Sequence, residues 1–305
     1  MRWETEPVSC PVCSAGAFIP LFHNDAHGFG LRTVFCTDCG LVYLNPRPTA
    51  AEYERLYSGI YENLFPTAWE LPLAELKANR RLEWYKKYLS PGINLLEVGP
   101  GDGAFLKLLK EQTEVSAFGI EPSPKAVEVC RRRGLDVQQG YLSCGDKRFN
   151  ALAAFHVLEH SLDPIAMLRQ FWQSLEFGGI LLIEVPNITG SWHGLGMIHI
   201  AHPQQFCPAT LGIALNKAGF EVMSLDAIEE PVFESSIRAI ARKAQHPQNK
   251  IFRPPVSTIP LIFQERLANW KFDLLKYRLK RLVFRYSGIA ALKKASALRK
   301  LSTAT

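Results

Sequence analysis

No run of this 305-residue chain reaches the roughly 20 uninterrupted apolar residues that a membrane-spanning helix needs. The opening residues, Met1-Arg2-Trp3-Glu4-Thr5-Glu6, lack the apolar stretch of a secretory signal. Both absences point to a cytoplasmic protein, and in a reducing compartment seven cysteines favour metal binding or free thiols over disulfides. Acidic residues are scarce at one end only. From Asn249 onward 13 Lys and Arg face just Glu265 and Asp273, a local charge of +11 against +6 for the whole chain, which leaves −5 for residues 1–248. The basicity belongs to a tail and gives no reason to expect nucleic acid on the body. What remains is 47% hydrophobic and 21% charged, enough to bury a substantial core.

The chain is organised around Leu95-Leu96-Glu97-Val98-Gly99-Pro100-Gly101-Asp102-Gly103-Ala104-Phe105-Leu106. A short apolar run carrying a carboxylate breaks into three alternate glycines, and an amphipathic pattern follows, which predicts strand, tight turn and helix. Such a turn brings backbone close to a ligand and offers the unpaired N–H groups of a helix start. The glycines are spaced G-x-G-x-G, not as in the dinucleotide fingerprint, and no Lys-Ser/Thr follows as in a phosphate loop. A second apolar run, Val115 to Ile120, ends in Glu121, a strand-end carboxylate placed to accept two ribose hydroxyls.

Cys10-Pro11-Val12-Cys13 and Cys36-Thr37-Asp38-Cys39 are two Cys-x-x-Cys pairs 22 residues apart, close to the spacing of a structural four-thiolate zinc site. A redox dithiol is the competing reading, but it calls for one pair beside a βαβ pattern, and both pairs precede that pattern here. Tyr43, Asn45 and Arg47 follow, either lining a cleft from the ribbon side or forming a linker with Tyr43 packed inside. Residues 50–90 carry helical spacing rich in Tyr and Trp. Residues 124–133 predict a helix closed at Gly134, with Arg131, Arg132 and Arg133 complementing its C-terminal dipole. Leu135 to Gln138 predicts a short strand. Val157-Leu158-Glu159-His160 opens a helix after a further strand from Phe149, and Cys130, Cys144 and Cys207 fill space.

Together these residues resemble the class I S-adenosylmethionine-dependent methyltransferases, and the resemblance spans roughly residues 8–225. The ribbon followed by C-G-L-V-Y-L-N-P-R-P, the F-H-V-L-E-H run at 155–160, the turn Leu175-Glu176-Phe177-Gly178-Gly179 and the closing H-x-x-x-F-x-P-x-T-L section at 202–211 are similar to a bacterial subgroup that includes sugar C-methyltransferases. The resemblance implies an α/β fold, a Rossmann-like sheet with helices on both faces. With the charge and helical spacing of the C-terminal segment, it divides the chain into a zinc ribbon (1–48), a helical cap or linker (49–90), a cofactor-binding core (91–245) and a basic amphipathic helical tail (246–305). It also implies cofactor contacts from Glu97, Gly99, Pro100, Gly101, Asp102 and Gly103 to the methionine part and from Glu121 and Pro122 to the ribose. Tyr141 and Leu142 would lie beside the adenine, and Phe155 and His156 beside the transferred methyl group.

A hydroxyl or carbon acceptor must lose a proton, which suits histidine. His202 is the first candidate base, with His160 and His156 next, Glu159 near them, and His193 a further candidate. Sugar C-methyltransferases of the subgroup carry a Tyr-x-Glu-His run at 199–202, where this chain has His199 and Ala201, so O-methylation of a sugar hydroxyl moves ahead. A metal site of His156, Glu159, His160 and His202 is the second reading, by similarity to small-RNA 2′-O-methyltransferases and ubiquinone-pathway O-methyltransferases. The expected cofactors are S-adenosylmethionine and structural zinc. The expected partner is a small-molecule or glycan acceptor, in surface glycan or secondary metabolite synthesis. A metal-dependent RNA methyltransferase and a non-catalytic cofactor-binding scaffold are the rivals. The tail, with Phe263, Trp270 and Tyr277 at helical spacing among Lys and Arg, reads as a helix packed on the body or as peripheral contact with the inner face of an anionic membrane.

Overall fold

The computed structural model describes residues 3–23, 29–61, 73–143, 148–190, 198–229, 235–248, 250–253 and 256–268. His193, Cys144 and the tail from residue 269 onward lie outside them. The chain opens with five short strands, β1 (Thr5–Glu6), β2 (Phe18–Phe22), β3 (Thr33–Cys36), β4 (Val42–Leu44) and β5 (Arg47–Pro48), then two cap helices, α1 (Ala50–Arg55) and α2 (Leu73–Tyr85). The body follows as β6 (Asn94–Val98), α3 (Ala104–Gln112), β7 (Ser116–Glu121), α4 (Pro124–Arg132), β8 (Val137–Gln139), β9 (Phe149–Phe155), α5 (Pro164–Ser174) and β10 (Leu175–Pro186). It closes with β11 (Gln204–Gln205), α6 (Pro208–Lys217), β12 (Glu221–Ile228), β13 (Ser236–Arg242) and α7 (Thr258–Ala268).

Seven strands form one sheet in the order β12-β13-β10-β9-β6-β7-β8. The five from β10 to β8 run parallel, and β13 is antiparallel between β10 and β12. Strands buried on both sides need apolar residues at every position, which explains continuous runs such as Ala151-Leu152-Ala153-Ala154. One face packs Leu96, Leu152 and Ile183 against Leu168 and Phe171 of α5 and Leu211 of α6. The other packs Leu95, Ala153 and Leu182 against Leu82 and Tyr85 of α2 and Phe105 of α3. This is the expected two-faced α/β sheet. From β6 the chain winds outward through β7 to β8, then returns to β9 on the other side of β6. Ligands of such sheets bind at that reversal, beyond the carboxyl ends of the strands.

Helix starts follow side-chain chemistry. Ser123 and Asp163 cap α4 and α5 by accepting the N–H groups of Ala126 and Ala166, with Pro124 and Pro164 in the first turns. Pro164 also corrects the expectation that Val157-Leu158-Glu159-His160 opens a helix. Asp163 is held extended (φ −128°, ψ 91°) ahead of the proline, so Leu158–His160 forms an isolated 3₁₀ turn and α5 begins after it.

The ribbon is joined to the body. Strands β2, β3 and β4 take their fourth neighbour, β11, from the far side of the core, with Gln204 opposite Tyr43 and Gln205 opposite Val42. Leu44 N–H donates to Pro203 O (2.9 Å), Arg47 Nη1 to Leu162 O (2.6 Å) and Lys217 Nζ to Val12 O (2.8 Å). Tyr43 is buried, as a residue of β4 opposite Val34 and Gln204 and not of a linker. Asn45 is buried too, its Oδ1 accepting Val8 N–H at 3.1 Å. The root of the tail also packs on this seam: Ile259 and Phe263 of α7 are buried with Phe35, Val42, Ile188 and Cys207. Among the described residues no helix is long and apolar enough to cross a membrane.

Candidate active site

Strand β6 carries Glu97 to the edge of the glycine turn, and β7 carries Glu121 beside it. Gly99, Gly101 and Gly103 all have positive φ (69°, 57° and 74°). A Cβ on Gly99 would come within 2.8 Å of Val157 Cγ2, and one on Gly103 would overlap Leu135 Cδ1 and sit 2.9 Å from Cys130 Sγ. The turn is therefore shaped for bare backbone at both positions. Glu121 ties the two strand ends together, Oε2 accepting Gly101 N–H at 3.1 Å and Oε1 accepting Ser123 N–H at 2.9 Å. Asp102 accepts Ala104 N–H (3.1 Å) through Oδ1 and pairs with Arg133 Nη1 (3.1 Å) through Oδ2. Arg133 thus clamps the loop, a role its place at a helix end did not suggest.

Glu97 differs from its neighbours. It is buried, its Oε2 finds no hydrogen-bond partner among the described residues, and burial pushes its carboxyl up to about 8. A buried acceptor without a donor marks a place for a ligand's N–H groups. Of the other residues expected around the cofactor, Pro100 is buried in the turn, Leu142 is half-buried, and Pro122 and Tyr141 are exposed, Tyr141 by 76%. The Phe155 ring packs inward, stacked on Tyr85 (5.7 Å between centroids), edge-on to Phe105 (5.2 Å) and under the Arg81 guanidinium (4.1 Å).

Beyond β9 the chain turns at His156, whose φ of 58° is rare outside glycine. Its N–H donates to Glu184 O (2.8 Å), and its Nδ1 lies 3.5 Å from Glu159 Oε1. Glu159 is buried, and burial raises its carboxyl to about 8. His160 Nδ1 lies 2.9 Å from Ala201 O and 3.0 Å from the Tyr57 hydroxyl. A carbonyl only accepts, so Nδ1 carries the hydrogen and Nε2 keeps its lone pair. Burial lowers His160 to about 4, so the ring is neutral. The His202 ring stands edge-on to His160 (4.7 Å) and lies 3.9 Å from His199. One ligand atom each from Glu159, His160 and His202 falls within 4.8 Å of the others. Gln204 Nε2 fixes the intervening turn by donating to Leu158 O (3.0 Å) and Ser161 O (2.5 Å).

Sequence reasoning missed one buried group. Glu184 on β10 accepts Arg81 Nε (2.8 Å), Tyr85 Oη (3.0 Å) and Arg238 Nε (3.3 Å), joining α2, β10 and β13 on the Glu97 face of the sheet. A lone carboxylate inside the apolar run Ile180 to Val185 was the available signal, because a buried charge requires partners. In the ribbon, Cys10 Sγ and Cys39 Sγ are 3.5 Å apart and Cys13 Sγ and Cys36 Sγ 3.4 Å, with all four sulfurs within 4.8 Å of one another. These separations are too long for disulfides. They bracket the ~3.8 Å edge of a tetrahedron with metal–sulfur bonds near 2.3 Å.

A family model described as a methyltransferase domain matches residues 73–225, just over half of the chain. The chain belongs to this family. It is an S-adenosylmethionine-dependent methyltransferase, and the matched segment holds the glycine turn, Glu121 and the histidine cluster. The enzyme is 25% identical over 179 residues to a ubiquinone biosynthesis O-methyltransferase of Xanthomonas campestris pv. campestris, covering 54% of this chain and 74% of that one. It is 28% identical over 137 residues to a probable S-adenosylmethionine-dependent methyltransferase of Mycolicibacterium smegmatis, covering 43% of this chain and 53% of that one. A solved S-adenosylmethionine-dependent methyltransferase from Archaeoglobus fulgidus is 22% identical, with a TM-score of 0.46 over 61% of this chain and 100% of that one.

Proposed function

We propose that this methyltransferase O-methylates a hydroxyl of a sugar or related small metabolite. The observation that carries the reading is the meeting of His160, His202 and Glu159 at the turn after β9, beside the glycine turn and with one imidazole fixed in a single tautomer. In this reading Glu97 accepts the cofactor's ammonium, Gly99 to Gly103 pass under its methionine part, Glu121 takes its ribose hydroxyls, and Tyr141 and Leu142 border its adenine. S-adenosylmethionine supplies an electrophilic methyl group, and the protein orients the hydroxyl and accepts its proton. His202 is the base, and His199, 3.9 Å from it, holds it in place. That related enzymes are O-methyltransferases of ubiquinone biosynthesis supports oxygen over carbon as the methylated atom.

A second reading rests on the same three donors. Glu159, His160 and His202 are suited to one divalent cation, and a His160 Nδ1 hydrogen held on a carbonyl is the usual outer-shell arrangement of a ligating histidine. His202→Ala is expected to lower turnover ~10²–10⁴-fold while S-adenosylhomocysteine binding stays at the wild-type level. Screening labelled cofactor against nucleotide sugars, lipid-linked glycans, phenols and small RNA, with chelator and with added Mg²⁺ or Mn²⁺, tests the assignment. Methylation of phenols or RNA alone rules out the sugar, and abolition by chelation with rescue by metal favours the cation. Cofactor binding with no acceptor turned over would favour a scaffold.

The four thiols are assigned to a structural zinc ion: four soft ligands close the coordination shell and leave no position for substrate. The basic tail is assigned to peripheral contact with anionic lipid, suited to an acceptor carried on a lipid phosphate. The full chain is then expected to float with anionic liposomes at low salt, and a chain ending at residue 268 to stay at the bottom. Equal behaviour of the two ends that idea.

A further inference from the structure

The two cysteine knuckles of the ribbon are near copies of each other. In the first, Ser14 N–H donates to Cys10 O (2.8 Å) and Cys10 N–H to Ala15 O (2.9 Å); in the second, Gly40 N–H donates to Cys36 O (3.0 Å) and Cys36 N–H to Leu41 O (2.9 Å). The residue after the second cysteine is left-handed in both, with φ 81° at Gly40 and 70° at Ser14. Glycine adopts that conformation freely, whereas serine is strained in it. Such a residue persists where its surroundings hold it.

What holds Ser14 lies 203 residues further along the chain. Lys217, the last residue of α6, places its Nζ 3.2 Å from Ser14 Oγ and 2.8 Å from Val12 O. A lysine in a last turn ordinarily serves its own helix end, but this ammonium crosses from the core into the knuckle. Val12 is wholly buried, and its carbonyl belongs to the same peptide group as the Cys13 N–H, which donates to Cys10 Sγ. A cation on that carbonyl polarises the peptide and strengthens the N–H at the sulfur. The Ser14 carbonyl shares its peptide group with the Ala15 N–H, which donates to Cys13 Sγ. Lys217 therefore touches both residues that aim N–H groups at the first pair of thiols. Four thiolates around one divalent ion also leave a net negative centre, which favours a cation nearby.

We propose that Lys217 is a positioning residue of the zinc centre: by holding Val12 O and Ser14 Oγ it keeps the first knuckle closed, so that retention of the ion depends on the docking of the ribbon against the core. This rests on the zinc assignment proposed above. It also accounts for a serine where the twin knuckle has glycine, because the hydroxyl gives Lys217 its second acceptor.

Transfer of zinc from the full chain to an excess of a chromogenic chelator tests this, with the metal content of each preparation measured first. Lys217→Met is expected to release zinc about tenfold faster than wild type, the size expected for a lost hydrogen bond from a charged donor. Lys110→Met loses a similar bond within the core, from Nζ to Gly134 O (2.7 Å), and is expected to release zinc at the wild-type rate. Ser14→Gly is expected to release zinc no more slowly than wild type while Lys217 is present. In the Lys217→Met background the same change is expected to slow release, since the serine there keeps its strain and has lost its partner. Lys217→Gln replaces the methionine variant should that one fail to fold. A wild-type rate from Lys217→Met, or equal acceleration by Lys110→Met, overturns the role of Lys217. A wild-type chain that holds no zinc after refolding with it overturns instead the assignment of the four thiols.

Discussion

Replacing Cys36 and Cys39 by serine is expected to abolish methyl transfer, although neither residue belongs to the acceptor site. Two thiols cannot hold a structural zinc ion, and the free energy of binding such an ion, roughly 10–16 kcal/mol in isolated zinc-finger peptides, is the folding energy of the segment around it. Here the segment is not a detachable appendage. Cys36 ends β3, β3 pairs with β4, and β4 pairs with β11, the two residues Gln204 and Gln205 that follow His199 to His202. Gln204 in turn holds the carbonyls of Leu158 and Ser161 on either side of Glu159 and His160, and Ala201 O fixes the His160 tautomer. Loss of the ribbon therefore removes the wall that sets the three donors relative to one another. Misplacement by about 1 Å is enough to cost roughly 10²-fold in turnover, so a loss of at least that size is expected. S-adenosylhomocysteine binding should survive, because the glycine turn, Glu97 and Glu121 are carried by β6 and β7. Metal analysis, calorimetry and a turnover assay on the double variant check all three statements. Wild-type turnover with no bound metal would remove the link.

Gly103→Val is expected to have the opposite signature: cofactor binding lost, ribbon intact. The residue sits at φ 74° directly before α3, where a β-branched side chain is strained, and its Cβ would overlap Leu135 and approach Cys130 Sγ to 2.9 Å. Leu135 and Cys130 are buried in one cluster with Leu106 and Val137, so neither has room to withdraw. Strain and overpacking together are expected to cost ~2–5 kcal/mol of stability. Whatever folded protein remains would hold a displaced turn, with cofactor affinity down by at least about 10²-fold. Thermal melts with and without S-adenosylhomocysteine measure both. An undiminished ligand-induced rise in melting temperature would show that the turn does not cradle the cofactor.

The elements that were legible in the chain are those whose signal is local. The run Leu95 to Leu106 announces strand, turn and helix by its own periodicity, and Val115 to Glu121 and Pro124 to Gly134 do the same. The two Cys-x-x-Cys pairs fix their own geometry. What escaped notice depends on distant partners. Glu184 meets Arg81 and Arg238 across 103 and 54 residues, and no spacing rule joins them. Gln204 and Gln205 have no strand propensity of their own, and they form β11 only because β4 offers an open edge. Val157 to His160 looks helical in isolation, but Ser161 and, ahead of Pro164, Asp163 are extended, which leaves a single 3₁₀ turn.

Tyr57 and Tyr61 follow α1, their rings 4.9 Å apart. Tyr57 hangs on His160, and Tyr61 lies within electrostatic reach of both Glu121 and Glu159. A single short stretch of chain thus joins the carboxylate that ends β7 to the Glu159 and His160 turn, so a change at Tyr57 or Tyr61 is felt at both.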